Sequence, residues 1–241
     1  MDMENLLKEV LEGMGLTIDQ RQERQLLSYV QLILDGLSKQ RLVGTKEGSE
    51  IISKHICDCL YPMKFKLIQS GEILDLGTGA GLPGIPIKIF RPEQIVYLMD
   101  SNGRKMNFLQ MVSAELGLEQ VYYLPGRAEQ WAREQMYRER FDFVVTRAVA
   151  EAAALVELAM PLTKVGGTVL LYKGPRGEDE MADAEKVLLL CGGALKKIDQ
   201  YRLPSGEERT LISLLKVHNT PGKFPRRNGI PVKKPILSKN N

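Results

Sequence analysis

The chain has 241 residues, 44% hydrophobic and 26% charged, with three cysteines and a formal net charge of +3. That length fits one large domain with an appendage, and no apolar run reaches the length of a membrane span. The acidic start, Met1-Asp-Met-Glu-Asn5, lacks a signal core, and Cys57, Cys59 and Cys191 lack metal-ligand spacing, so a cytoplasmic protein with reduced thiols is expected.

Residues 1–70 read as a helical extension. Asp19 is placed to cap a helix whose apolar positions Leu26, Leu27, Val30, Ile33, Leu34 and Leu37 recur at helical spacing. Gly44 and Gly48 interrupt the pattern. A second stripe, Ile51, Ile52, His55, Ile56, Cys59 and Leu60, is expected to stop at Pro62. From residue 71 the texture changes to strand–helix alternation, which continues to 218. Strands are predicted at 73–76, 95–99, 121–124, 141–146 and 168–172, with helices at 85–90, 104–116 and 151–162 between them. Short apolar strands separated by helices imply a parallel sheet covered on both faces. The Met106, Leu109, Val112 and Leu116 stripe is core, and Trp131, the only tryptophan, is read as packing. A helix at 178–190 ends at Gly192-Gly193. Strands at 195–203 and 210–217 follow, and the short Pro204–Glu208 link makes them a hairpin, so the sheet should close with an antiparallel strand. Residues 219–241 carry four prolines, six basic residues (Lys223, Arg226, Arg227, Lys233, Lys234, Lys239) and no acid. This tail is expected to be extended, or ordered only on binding an anionic partner.

The chemistry centres on Asp75-Leu-Gly-Thr-Gly-Ala-Gly-Leu-Pro-Gly84, an acid at a strand end followed by alternating glycines. Glycine lets the backbone turn sharply and lets a ligand approach. One frame, Gly79-x-Gly81-x-x-Gly84, matches the dinucleotide fingerprint, a weak signal alone. The other, Asp75-x-Gly77-x-Gly79-x-Gly81, resembles the first motif of class I methyltransferases, which bind S-adenosylmethionine. The strand ends near Leu76, so the turn begins at Gly77, and the second frame is favoured. Asp100 ends the next strand, where a carboxylate can accept from both ribose hydroxyls in either reading. The closing hairpin is typical of the methyltransferase sheet. Farther on, Gly126-Arg-Ala-Glu129 and Arg147 follow the third and fourth strands, at the edge where open α/β sheets hold ligands.

Acceptor classes narrow by elimination. The Asn/Asp-Pro-Pro-aromatic motif of exocyclic-amine methylation is replaced by Thr146-Arg-Ala-Val149. No cysteine stands directly after the fourth or fifth strand to attack a pyrimidine ring, and Cys191 sits late in a helix. No oxygen-ligand cluster for a metal stands out. What remains is a nucleophile needing little activation, and guanine N7, a lone pair with no proton, is one.

In combination, the 75–84 motif, Asp100-Ser, Arg104-Lys, Arg127-Ala-Glu129, Thr146-Arg-Ala-Val149 and the tail Asn219-Thr-Pro-Gly-Lys-Phe-Pro-Arg-Arg-Asn-Gly-Ile-Pro231 resemble the bacterial 16S ribosomal RNA methyltransferase family RsmG, also called GidB. The resemblance implies a class I, Rossmann-like fold with a mostly parallel seven-stranded sheet in the order 3-2-1-4-5-7-6. It implies S-adenosylmethionine as cofactor and N7 of a guanosine in 16S RNA of the small subunit as target. Cofactor contacts are then expected at Asp75, Gly77, Gly79, Gly81, Leu82, Asp100, Ala128, Glu129 and Arg147, with no metal. Leu82 stands where many members carry Phe, and Gln40–Gly44 departs from the family's usual residues. RNA contacts are expected at His55, Lys173, Lys223, Arg226, Arg227, Lys233 and Lys234. His55 and Asp58 match a family pattern on one helix side, although a core role is the commoner fate of such a histidine. No acid–base residue is assigned, and a monomer is the default. A non-catalytic RNA-binding assembly protein and a small-molecule methyltransferase stand as alternatives.

Overall fold

A computed structural model of the protein describes residues 2–38, 40, 42–147 and 150–238. Helix α1 (Met3–Gly13) turns Leu7, Val10 and Leu11 inward. Helix α2 (Gln20–Gly36) begins at Asp19, whose side chain accepts from the Gln22 N–H while the Gln22 side chain accepts from the Asp19 N–H. That capping box fixes the helix start, and the buried face is Leu26, Tyr29, Val30 and Ile33. One turn, α3 (Gly48–Glu50), runs into a π-helical segment (Ile51–Ile56) and on into α4 (Cys57–Lys64). The stop expected at Pro62 is therefore displaced to Lys64. A proline forfeits one backbone donor, and only two helical residues follow Pro62.

The strands are β1 (Glu72–Leu76), β2 (Ile95–Asp100), β3 (Val121–Pro125), β4 (Phe141–Thr146), β5 (Thr163–Lys173), β6 (Gly193–Arg202) and β7 (Glu208–Lys216). They form one seven-stranded sheet in the order β3-β2-β1-β4-β5-β7-β6. Pairing from β3 through β5 is parallel, and β7 runs antiparallel to both β5 and β6. The anticipated sheet is thus observed. The intervening helices are α5 (Gly84–Phe90), α6 (Gly103–Glu115), α7 (Ala128–Trp131), α8 (Ala152–Ala159, continued by a 3-10 turn at Met160–Leu162) and α9 (Gly177–Leu190). Alternation along each strand divides the core. Ile73, Leu98 and Leu170 face one side, while Leu74, Met99 and Leu171 face the other, under α8 and α9.

The N-terminal helices belong to the first of these cores, with Leu7, Leu26, Ile33 and Leu60 packed in one cluster with Ile73 and Leu98. They also satisfy backbone groups of the sheet domain. Gln22 Nε2 donates to the Ile89 and Phe90 carbonyls (both 3.0 Å), and Gln25 Nε2 to the Leu116 carbonyl (2.7 Å). These are carbonyls at the C-terminal ends of α5 and α6 that have no partner within their own helix. The 1–70 segment is thus one layer of the molecule.

The tail corrects the sequence expectation. Residues 219–238 are folded against the domain, with a short helix α10 (Ile230–Lys233), and Phe224 and Pro231 are buried. Arg138 donates to the carbonyls of Thr220 (2.7 Å) and Phe224 (3.1 Å), and Arg133 to that of Pro225 (2.9 Å). Polarity and proline content mimic disorder here, but the segment's backbone acceptors find fixed guanidinium donors. No described helix is long and apolar enough to cross a membrane.

Candidate functional site

β1 ends at Leu76, and the chain then takes left-handed backbone at Gly77 (φ 74°), Gly79 (φ 60°) and Gly81 (φ 103°). The turn therefore begins immediately after the strand, as the Asp75 frame requires. At Gly79 a Cβ would meet nothing nearer than the Lys105 ammonium at 3.9 Å, so its conformation is what demands glycine. At Gly81 a Cβ would lie 2.6 Å from Ile85 and 3.0 Å from the Tyr29 hydroxyl, so close packing demands it too. Tyr29, wholly buried in α2, donates to the Ala80 carbonyl at 2.9 Å and braces the turn from below.

Asp75 lies beneath this turn with no exposed surface. Its Oδ2 accepts from the Thr78 hydroxyl (2.6 Å) and the Gly84 N–H (2.7 Å), while Oδ1 has no partner. Burial pushes the carboxyl up to about 7 against those two donors, which pull it down. Leu82 is likewise buried, in the core shared with α2. Asp75, Gly79, Gly81 and Leu82 shape the turn; they do not line the cleft above it. That cleft, about 180 Å³, is lined by Gly77, Asp100, Gly126, Ala128 and Glu129, with Met99, Leu155 and Leu158 as apolar walls. Asp100 Oδ2 accepts from the Gly79 N–H (3.0 Å) and Oδ1 from the Asn102 N–H (2.8 Å), which leaves lone pairs on both oxygens for a diol. A carboxylate that accepts from a hydroxyl pair, beside apolar walls for a flat ring, suits a nucleoside, so the residues present fit a nucleoside cofactor.

A second cavity, about 800 Å³, opens at the ends of β4 and β5 and is lined by Asp58, Arg147, Tyr172, Lys173, Glu180 and Arg209 among others. Ala150 and Val232 line both spaces, so the two adjoin. Arg147 Nε donates to Asp58 Oδ2 (2.6 Å), and Arg147 Nη2 meets His55 Nδ1 at 2.7 Å. A guanidinium only donates, so Nδ1 accepts and the imidazole proton sits on Nε2. Burial first, and then the Arg147 charge, lowers the His55 pKa to about 4, so the ring is neutral at pH 7. Asp58, itself buried, also accepts from the Tyr201 hydroxyl at 2.5 Å. Lys173 Nζ is held by Glu180 and the Ala150 carbonyl, both at 2.6 Å.

The structure redistributes several expected roles. Arg147, expected at the cofactor, lines the larger cavity and is bound by Asp58 and His55. His55, expected at RNA, is engaged with Arg147 instead. Arg226 is consumed by a bidentate ion pair with the fully buried Glu157, Nη2 to Oε2 at 2.6 Å and Nε to Oε1 at 2.9 Å. Lys223, Arg227, Lys233 and Lys234 are exposed, and none forms an ion pair among the described residues. Ala148, Val149 and Lys239 lie outside the described residues. Trp131 packs edge-on against Tyr137, with ring centroids 4.9 Å apart. The described residues hold no group of three or more His, Cys, Asp or Glu able to bind a metal ion. Met99, Leu155, Leu158, Arg209 and Val232 had no sequence signal, because each reads locally as core, solvated charge or tail.

The family model described as rRNA small subunit methyltransferase G matches residues 22–211. The chain is 37% identical over 238 residues to the ribosomal RNA small subunit methyltransferase G of Alkaliphilus metalliredigens, covering 98% of this chain and 100% of that protein. To the protein of the same description from Lachnoclostridium phytofermentans it is 41% identical, over 95% and 96% of the two chains. Among solved structures, a precorrin-6y C5,15-methyltransferase from Geobacter metallireducens aligns with a TM-score of 0.52 at 14% identity, over 73% of this chain and 94% of that one. P. horikoshii TYW2 in complex with MeSAdo aligns at 0.51 and 13%, over 68% and 61%. At such identities the likeness is one of fold.

Proposed function

The chain belongs to the rRNA small subunit methyltransferase G family, and from that premise we propose that it methylates N7 of one guanosine in 16S ribosomal RNA, using S-adenosylmethionine. In this reading the glycine-turn cleft takes the nucleoside of the cofactor. Asp100, held by the Gly79 N–H, accepts from the ribose hydroxyls, Glu129 and Ala128 border the base, and Gly77 allows close approach of the backbone. Asp75, Gly81 and Leu82 hold the turn in shape from below. When bound, the cofactor supplies a methyl group on a positively charged sulfur.

The observation that carries the reading is that this cleft adjoins the larger cavity through Ala150 and Val232. A base in the larger cavity would lie next to the methyl donor, and proximity and orientation supply much of such a barrier. The cavity's cations Arg147, Lys173, Arg209 and Lys233 suit an anionic strand. Its carboxylates Asp58, Glu151 and Glu180 offset the positive charge that N7 gains. Guanine N7 has no proton to remove, and the His55 Nδ1 lone pair is already committed to Arg147. The site thus holds Arg147 rigid through Asp58 and His55, without poising a histidine base. Lys173, Lys223, Arg227, Lys233 and Lys234 are the cations proposed to meet RNA phosphate, on a monomer working in the cytoplasm.

The test is incubation with labelled S-adenosylmethionine and small-subunit RNA lacking the modification, followed by borohydride–aniline cleavage to map 7-methylguanosine. Label at one guanosine with a single cleavage is expected. Label at an exocyclic amine, a ribose or a protein overturns the assignment.

A further inference from the structure

Two buried carboxylates on two helices find partners in one segment of the chain, and a buried lysine already paired with Glu139 bonds it as well. Glu157 of α8 has no exposed surface, and its carboxylate accepts from the Arg226 N–H (2.8 Å) as well as from the Arg226 guanidinium. Glu129 of α7 is 3% exposed, and its Oε1 accepts from the Gly229 N–H at 2.6 Å. Lys216 of β7 is 1% exposed and bonds the Thr220 hydroxyl, and Glu139 accepts from the Thr220 N–H at 2.5 Å. A buried charge without a partner is unfavourable, so the domain is built to hold this segment in one place. Gly229, the last of those anchors, takes φ 77° with nothing within 4 Å of its missing Cβ, so the left-handed turn alone requires glycine. That turn sets α10 over the two adjoining spaces. Val232 lines both the glycine-turn cleft and the larger cavity, and Lys233 lines the larger one. Arg226 Nη2 donates to the Lys234 carbonyl (2.8 Å) and closes the loop behind it.

We propose that residues 219–238 form the outer wall of the methyl-transfer site, with Val232 as a positioning residue that packs against both the cofactor and the target base. The inference rests on the function proposed above and adds a residue to that site. Val232 is an apolar side chain left 54% exposed at the junction. Bound ligand covers it, and in doing so it excludes water from the gap that the methyl group must cross. The segment is thus a fixed wall and not a free arm, and its exposed cations Lys223, Arg227, Lys233 and Lys234 remain on the outside to meet the RNA strand.

Val232 substitutions test this without touching the anchors, because the residue lies outside both hydrophobic cores. Three measurements are made on Val232→Asp, Val232→Ile and wild type: S-adenosylmethionine affinity by calorimetry, single-turnover methyl transfer to small-subunit RNA, and Tm. Val232→Asp should weaken cofactor affinity roughly tenfold and slow single turnover at saturating cofactor by roughly 10–100-fold, with Tm within about 2 °C of wild type. Val232→Ile should restore both. If Val232→Asp keeps affinity and rate within twofold, the wall is overturned; a loss of affinity with an unchanged rate overturns its acceptor half. A fall in Tm with no rescue by Val232→Ile assigns the effect to folding and also overturns the proposal. Calorimetry needs no RNA, so a wild type that binds cofactor but leaves RNA unmethylated would sink the function reading while the affinity arm still decides the wall.

Discussion

At Asp100 the carboxylate already accepts from the Gly79 and Asn102 N–H groups, which fixes both oxygens before a ribose arrives. Replacing it with alanine removes charge-assisted bonds of about 1.5–3 kcal/mol. Asp100→Ala should therefore weaken S-adenosylmethionine binding roughly 10–100-fold in calorimetry while RNA affinity stays as it was. Asp75, at the neighbouring strand end, is a different case, since its carboxyl is sealed under the turn and raised to about 7. Between about pH 4, where the unfolded chain loses this proton, and about pH 7, the native state holds more protons, so stability declines as pH rises. Asp75→Asn keeps an acceptor for Thr78 and Gly84 and does not titrate. Its urea midpoint should rise relative to wild type across that window and run parallel above it. His55 gives the opposite sign: with its pKa lowered to about 4, the unfolded chain binds the extra proton, and stability falls as pH drops below about 6.5. His55→Gln should gain relative to wild type on acidification. The two trends oppose each other over the same range, so each needs its own variant.

Among the elements, α2 matters less for its length than for one hydroxyl. Tyr29 reaches from it to the carbonyl of Ala80 inside the glycine turn. Tyr29→Phe leaves that carbonyl without this donor, which should lower stability by about 1–3 kcal/mol in denaturant unfolding and loosen the turn that cofactor binding needs. The C-terminal segment depends on a comparable single contact. Arg226→Ala leaves the buried Glu157 carboxylate without its guanidinium, a loss of about 3–5 kcal/mol. Lys223→Ala, at an exposed position on the same segment, should change stability by less than about 0.5 kcal/mol. Equal effects of the two would mean that charge alone holds the segment.

For the whole molecule, the distribution of charge decides how RNA is met. The tail's six basic residues reduce to four exposed cations among the described residues, because Arg226 is used internally and Lys239 lies outside them. If Lys223, Arg227, Lys233 and Lys234 each neutralise one phosphate, RNA affinity should fall roughly 50–150-fold between 50 and 200 mM salt. Replacing all four with alanine should flatten the log–log slope by roughly 3. An unchanged slope would place the RNA on another face.

Local pattern determined much of this protein. Period-2 and period-3.6 spacing, the Asp19 cap, the hairpin link and the run from Asp75 to Gly84 are short-range features, and the seven strands and the turn frame followed from them. Asp100 was legible because a strand-end acid is read from its own neighbours. Tertiary structure alone decided which charges are free. Arg147 and His55 are far apart in sequence yet consume each other's hydrogen bonding, and Arg226 is buried against a glutamate on α8. Asp75 and Asp100 look alike as strand-end carboxylates, and only packing puts one beneath the turn and the other in the cleft. The tail, polar and proline-rich, reads as unstructured because its order comes from partners distant in the chain. Pairing between distant charges depends on where the fold brings them, and no local spacing encodes it.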